Sequence, residues 1–446
     1  MKIKQFKDEA LAHFSYAILS EGEIALIDPE RNPEQYYRFA EENNARIVAV
    51  LETHPHADFV SGHLQISEET GATIYASKML GANYPHTSFE EGESIQIGKT
   101  SIRPLHTPGH SPDSFIFIAE ENGKTVLFTG DTLFIRNVGR PDLREKTGNM
   151  TSKKVELAKA MYNTINTKFD KFPDNALVYP THGAGSLCGK NISSSPSSTL
   201  GDERKGNWAF EKQTEAEFVQ EILKDQLFIP AYFRFNVDLN RNGAENAQKG
   251  KYSIPFRIGI EKVEKDIVVV DVRDEKVFKK AHLPNSINIM ARNIADKFET
   301  WVGAVIEPEE PFYLVIEKVE DRDKILDRIA KIGYETQIKA VLTLSDKVPQ
   351  SSDFLNLENF RKNPDDYTIV DIRNESEVAE GKIFENAKTI PLNELRKRSG
   401  GLSGDKPFVV HCAGGYRSAA GSSILENEFK DQKVFDLGEH IRDFKI

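Results

Sequence analysis

The sequence is short of cysteine, of tryptophan and of positive charge. Only two cysteines occur among 446 residues, Cys188 and Cys412. That density excludes a disulfide-stapled secreted fold, and each thiol needs its own explanation. The formal net charge of −11 excludes the broad basic face that a phosphate backbone requires, so no nucleic-acid partner is expected. No apolar run approaches the roughly 18 residues of a membrane span, so no membrane segment is expected. The opening "MKIKQFKDEALAHF" has no apolar stretch of the signal-peptide kind, and a cytoplasmic protein is expected. What is present is a globular composition, 39% hydrophobic and 28% charged. The length exceeds one ordinary core and points to three domains.

Histidine is unevenly spread. Eight of the 11 lie before residue 183: His13, His54, His56, His63, His86, His106, His110 and His182. In this part of the chain, strand-like and helix-like runs alternate. "YAILSEGEIALIDPE" predicts two strands turning at Glu21-Gly22. "NPEQYYRFAEENN" has helical spacing of Tyr36, Phe39 and Ala40. "TSKKVELAKAMYNTI" opens with a Ser/Thr cap and continues as a helix, and "TEAEFVQEILKD" predicts another. "ARIVAVLETH", "KTVLFTGD" and "NALVYPTHG" are strands that run out at His54, Asp131 and His182, the usual place for a site on a rigid scaffold. Residues 185–207, rich in Ser and Gly, predict a long loop. Residues 236–251, "NVDLNRNGAENAQKGK", predict a linker.

The stretch "ETHPHADFVSGH" holds His54, His56 and Asp58 in one loop. It follows the binuclear metal pattern HxHxDH except at the last position, where Phe59 stands. A benzyl side chain cannot ligate a metal. "PLHTPGHSPDS" sets His110 in a Pro/Gly turn, and "LFTGDTL" sets Asp131 at a strand end. Two imidazoles and one carboxylate suit a mononuclear non-haem Fe(II) site with open positions, and Zn(II) accepts the same ligand types.

HxHxD, then TPGHSPDS, then FTGDTL, then a late His resembles the metallo-β-lactamase superfamily over residues 1–235. The resemblance implies an αββα sandwich with the metal at one edge. "DTLFIRNVGRPDL" is similar to the persulfide dioxygenase branch. That branch implies one Fe(II) per chain held by His54, His110 and Asp131, with His56, Asp58 and His182 orienting the ligands. Asp58 is the expected acceptor for a ligand imidazole N–H. The implied partners are dioxygen and a low-molecular-weight thiol persulfide, oxidised to sulfite. Glutathione-using relatives carry Tyr soon after the late His, whereas this chain reads "YPTHGAGSLCGK", so coenzyme A or bacillithiol is as suitable a carrier as glutathione. Cys188, six residues after His182, is expected near the metal, as a persulfide acceptor, a gate or a bystander. Arg140 is either an anion holder or a structural residue. The rival reading is a Zn-dependent thioester hydrolase of the glyoxalase II type, fused to a sulfurtransferase.

The rest of the chain is an internal repeat. "DIVVVDVRDEKVF" and "DYTIVDIRNESEV" open two copies, each continuing with a second hydrophobic strand and a helix, which predicts two small α/β domains with parallel sheets, residues 252–347 and 355–446. In the second, "VVHCAGGYRS" puts Cys412 at a strand end, ahead of Gly414, Gly415 and Arg417. Backbone N–H groups, a helix N-terminus and a guanidinium all favour a thiolate there. Cys-x4-Arg makes a cradle for one sulfur atom, and the copy resembles a rhodanese (sulfurtransferase) domain, with Cys412 as the persulfide carrier and Arg417 beside it. Asp371 and Arg373 are expected to be structural. Alignment of the first copy puts Glu317 opposite Cys412 and Arg322 opposite Arg417, which makes it a pseudo-rhodanese. The whole chain thus resembles the bacterial sulfide-detoxification fusions of a persulfide dioxygenase with an inactive and an active rhodanese, forming or using thiosulfate. Nothing in the sequence sets the direction, and a homo-oligomer is compatible with it.

Overall fold

The computed structural model describes residues 1–143 and 154–444. Two compact units emerge, Met1–Ala247 with Ala330–Gly333, and Gln248–Ile329 with Tyr334–Ile446. Among the described residues no helix is long and apolar enough to cross a membrane.

The first unit is built on two six-stranded sheets. One takes its strands in chain order, Lys2–Asp8, His13–Ser20, Glu23–Ile27, Arg46–Leu51, Thr73–Ala76 and Thr87–Ser88. The first two pairings are antiparallel and the rest parallel. The other runs Ser198–Thr199, Leu177–Pro180, Lys124–Gly130, Phe115–Glu121, Thr100–His106 and Ile95–Ile97.

Period-two alternation decides which side chains meet between the sheets. Tyr16, Ile18, Ala25 and Ile27 of the first sheet share a buried cluster with Phe117, Ala119, Val126 and Phe128 of the second. Their neighbours point the other way. Ala17, Ile24 and Leu26 pack with Tyr36 and Phe39 of the helix Glu34–Glu42, and Ile116, Ile118 and Leu127 pack with Ala158, Met161 and Ile165 of the helix Lys154–Lys168. The result is the αββα sandwich expected. Truncating an inter-sheet residue such as Phe117 to Ala would cost about 3–5 kcal/mol, because neither rigid sheet can collapse into the cavity.

Residues 236–251 contain the boundary between the two units, at Ala247 and Gln248, but are largely helical: apart from residues 243–246 they fall in the helices Tyr232–Asn242 and Ala247–Ser253, the first burying Tyr232, Phe233, Asn236, Val237 and Asn240. Two of the five buried side chains are Asn, so the face carries helical spacing but little hydrophobic contrast. The long loop also ends earlier than expected, since residues 198–206 form a short strand and a helix. The Ser/Thr cap expected ahead of Lys154 lies outside the described residues.

The second unit carries two all-parallel sheets. One has the order Phe256–Ile260, Ile338–Leu344, Phe312–Val315, Val268–Asp271, Ser286–Asn288, and the other Lys388–Thr389, Thr368–Asp371, Phe408–His411, Val434–Asp436. The repeat is therefore structural as well as sequential. Register refines its alignment: Asp271 pairs with Val315, and Asp371 pairs with His411. The residue after each partner is Ile316 in the first copy and Cys412 in the second. Ile316, not Glu317, stands at the cysteine position, and a hydrocarbon side chain cannot carry sulfur. Five residues then separate Ile316 from the helix Arg322–Ala330, against three between Cys412 and the helix Tyr416–Glu428, so Arg322 opens its helix and has no strict counterpart in Arg417.

Candidate metal and sulfur sites

The strand ends of the first unit bring His54, His110 and Asp131 together. Their ligand atoms lie within 4.8 Å of one another and all three residues are buried. Asp131 Oδ2 is 3.5 Å from His110 Nε2 and 3.9 Å from His54 Nε2. Neither buried Asp131 oxygen has a hydrogen bond of ordinary geometry among the described residues. A buried carboxylate left so would be costly, and a cation between it and the two imidazoles removes the cost.

The far side of each imidazole fixes which nitrogen faces that point. His110 Nδ1 is 2.9 Å from the Arg140 carbonyl, which can only accept, so Nδ1 carries the proton and Nε2 does not. Thr53 Oγ1 donates to Asp28 Oδ2 at 2.8 Å, so its oxygen accepts from His54 Nδ1 at 3.0 Å. Both unprotonated Nε2 atoms then face Asp131. Gly139 of "NVGRPDL" is required by the same packing: a Cβ there would strike the Asp131 carbonyl and come within 2.9 Å of His110 Nδ1.

Asp28 organises the layer behind. It also accepts from the Thr53 amide at 2.8 Å and from Thr181 Oγ1 at 3.1 Å, and lies 3.1 Å from His56 Nε2. Burial opposes its charge, but His56 and the Thr53 bonds outweigh burial and hold its pKa below the usual carboxylate range. Asp58, expected behind a ligand imidazole, instead faces His182, with 3.3 Å from Oδ2 to Nε2. His182 Nε2 is 3.6 Å from Asp131 Oδ1, and its Nδ1 is 3.3 Å from the Ala12 carbonyl. Burial pulls the His182 pKa down, yet the carboxylates of Asp58 and Asp131 prevail and lift it to about 9. Asp58 falls to about 2, His182 overcoming its burial. Both carboxylates thus favour a proton on His182.

Phe59 is 1% exposed, with its ring 3.9 Å from that of His13 and 4.4 Å from that of His56. The ring takes the place of the last ligand of the binuclear pattern, although the ligand atoms of His56, Asp58 and His182 also lie within 4.8 Å of one another. Asn240 holds the loop, donating to the carbonyls of His56 and Phe59 at 2.8 Å and accepting from the Ser61 amide.

Cys188 lies among Asp131 and His182, their ligand atoms within 4.8 Å. Burial, with Asp58 and Asp131 nearby, pushes its thiol pKa well up. Its carbonyl accepts from the Arg140 amide at 2.9 Å. The Arg140 guanidinium meets Asp142 at 2.6 and 2.7 Å and the Leu187 carbonyl at 3.2 Å. Arg140 therefore clamps the Cys188 loop onto the His110 side of the site, and its charge is matched within the protein.

In the second unit Cys412 follows the strand Phe408–His411 and is 1% exposed. The Gly415 amide donates to its Sγ at 3.1 Å. Gly415 has φ +105°, and a Cβ would lie 2.6 Å from the Glu439 amide nitrogen, so only glycine closes this turn. Arg417 packs beside the sulfur. Its two terminal nitrogens each meet a Glu377 oxygen at 2.6 Å, and its guanidinium lies 5.5 Å from the ring centre of Trp301. Trp301 belongs to the first repeat, as does Met290, whose carbonyl accepts from the Tyr416 hydroxyl. The two Asp–Arg pairs at the strand ends, Asp271 with Arg273 and Asp371 with Arg373, are buried bidentate bridges. They brace the strand ends.

An αββα sandwich with buried His and Asp at its edge, followed by two parallel α/β repeats, defines a metallohydrolase-like domain joined to sulfurtransferase-like domains. Residues 8–182 match the metallo-beta-lactamase superfamily, and residues 260–342 and 356–445 match the rhodanese-like domain. The chain belongs to the metallo-beta-lactamase superfamily, in the type that joins a persulfide-dioxygenase-like domain to rhodanese-like domains. It is 30% identical over 220 residues to Persulfide dioxygenase ETHE1, mitochondrial, of Bos taurus, covering 49% of this chain and 78% of that protein. It is 31% identical over 184 residues to Hydroxyacylglutathione hydrolase of Francisella tularensis subsp. novicida (strain U112), covering 41% and 68%. A metallo-beta-lactamase from Staphylococcus aureus subsp. aureus COL has a similar structure, with TM-score 0.67 and 30% identity over 77% of this chain and 99% of that one.

Proposed function

We propose that the chain is a mononuclear Fe(II) persulfide dioxygenase coupled to a rhodanese. Residues 1–235 form the dioxygenase, 252–347 a pseudo-rhodanese, and 355–446 the sulfurtransferase. The observation that supports the reading is the buried His54–His110–Asp131 set together with Phe59, which stands in place of a ligand and packs against His13 and His56. Phe59 removes one ligand of the binuclear pattern and leaves His56, Asp58 and His182 as the residues that could hold a second ion.

In this reading His54 and His110 would offer Nε2, and Asp131 would offer Oδ2, to one iron. Bound there, iron supplies the redox chemistry that lets dioxygen react with the terminal sulfur of a persulfide. The balance is one persulfide, one dioxygen and one water giving one thiol and one sulfite. Thr53 and the Arg140 carbonyl keep the two imidazoles in the ligating tautomer. His182 holds a proton at Nε2 beside Asp131 and steadies the carboxylate. Phe59, packed against His13 and His56, takes the place of a ligand that would help hold a second ion. At Cys412 the Gly415 amide and Arg417 hold the anionic sulfur. A persulfide there passes its outer sulfur to sulfite: the Cys412 S–S bond breaks, a new S–S bond forms, and thiosulfate leaves. Tethering the two sites raises the effective concentration of sulfite at Cys412.

Oxygen uptake by Fe(II)-loaded protein given coenzyme A, bacillithiol or glutathione persulfide tests the reading. Uptake that ends in sulfite or thiosulfate supports it. Absence of uptake with iron bound, together with thioester hydrolysis by the Zn(II) form, would favour the hydrolase reading that the Francisella relative raises.

A further inference from the structure

The Arg417 guanidinium is already occupied. Both of its terminal nitrogens meet the Glu377 carboxylate at 2.6 Å, one to each oxygen. That end-on fork is the arrangement that an incoming oxyanion would itself seek. Glu377 is not fixed by this pair alone. It is the third residue of the helix Glu375–Ala379, and its Oε2 accepts from the Asn374 amide at 3.0 Å in a capping box. Its side chain is 31% exposed, against 12% for Arg417, so the carboxylate has room to swing outward while the arginine does not. Trp301 beneath the guanidinium holds that group in place whichever anion it binds. Electrostatics work against an acceptor as long as the fork is closed. Arg417 is neutralised by Glu377, a Cys412 persulfide adds one negative charge, and sulfite or thiosulfate brings two more.

Resting on the rhodanese reading of Cys412, we propose that Glu377 is a built-in competitor for Arg417: it fills the guanidinium fork in the empty site and must yield it to a divalent sulfur oxyanion. Glu377 thus sets the concentration of sulfite or thiosulfate at which the site fills, and takes no part in the transfer itself. In that transfer the outer sulfur of the Cys412 persulfide moves to sulfite, the cysteine sulfur leaves as thiolate, and no further reagent is consumed.

Glu377→Gln is the discriminating change, because glutamine keeps an acceptor for the Asn374 amide and so retains the capping box. Sulfite binding is measured by calorimetry in the full chain carrying Cys412→Ser, which transfers no sulfur, with and without Glu377→Gln. A partly exposed ion pair of this kind implies about fivefold tighter sulfite binding in the glutamine form. In the otherwise unaltered chain, the thiosulfate KM falls by a similar factor with Glu377→Gln and stays near its original value with Glu377→Asp. Equal or weaker sulfite binding in the glutamine form, or no binding in either, overturns the proposal and leaves Glu377 as a scaffold for Arg417. Failure of the reading beneath it looks different: the unaltered chain would then show no sulfur transfer from thiosulfate that depends on Cys412, whatever the calorimetry reports.

Discussion

Replacing Thr53 by Val keeps the shape of the side chain and removes one hydroxyl. That hydroxyl donates to Asp28 at 2.8 Å and accepts from His54 Nδ1 at 3.0 Å. Asp28 keeps the Thr53 amide, Thr181 and His56, so it loses one partner of four. His54 loses the acceptor that pins its proton on Nδ1. A buried donor left without its partner costs about 1–3 kcal/mol, and the ring can avoid that cost by moving the proton to Nε2, which then no longer ligates. Disruption of such an outer hydrogen bond typically weakens metal binding about 10- to 100-fold, or about 1.4–2.7 kcal/mol. The expected result is an Fe(II) affinity lowered by that factor, read anaerobically by competition with a chromophoric chelator, and restored by Thr53→Ser. Thermal unfolding of the metal-free protein provides the control. Iron affinity unchanged in Thr53→Val would refute the tautomer argument, and with it the claim that Thr53 serves the metal rather than the sheet.

Three further predictions follow from the same geometry. Phe59→His should raise the metal content from one to two equivalents by elemental analysis, and a value that stays at one would mean that Phe59 is not what excludes the second ion. Cys412→Ser should leave persulfide-dependent oxygen uptake in place and abolish thiosulfate formation; loss of both would show that the two sites do not act separately. Glu426 has its carboxyl pKa raised to about 7, by burial first and then by Asp436 and Asp353, against the pull of Ser352 and Lys279. A carboxyl whose folded pKa lies above its unfolded value of 4.5 stabilises the fold when protonated, so this contribution is lost as pH rises from about 4.5 to 7. Glu426→Gln should therefore flatten the fall in stability across that window, by on the order of 2 kcal/mol, in denaturant titrations from pH 5 to 8.

The residues that the sequence made legible share one property: their identity announces their chemistry. His54, His110 and Asp131 stand at strand ends in motifs whose spacing admits few other uses, and Cys412 stands in a loop of fixed length. The residues that escaped notice act through groups any residue has, or through types with many uses. The acceptor behind His110 is a main-chain carbonyl, and any residue at position 140 would supply one. Thr53 and Asp28 look like ordinary strand-end residues until their geometry is known. Asn240 was hidden because its helix buries asparagines where a hydropathy pattern expects leucines. Asp58 was assigned the wrong neighbour, since only the tertiary fold brings His182 beside it. The offset between Glu317 and Ile316 is of another kind. Two hydrophobic strands slide past each other in an alignment at little cost, whereas pairing to Asp271 and Asp371 permits one register.

Asp28 sits where the ends of three strands converge, those of Glu23–Ile27, Arg46–Leu51 and Leu177–Pro180, and its carboxylate is shared by groups that follow two of them. The His54 loop therefore cannot swing away without parting both sheets at that point. A change at Asp28 is therefore expected to loosen the loops of His54 and His182 together, since the strand before each is tied to that one carboxylate.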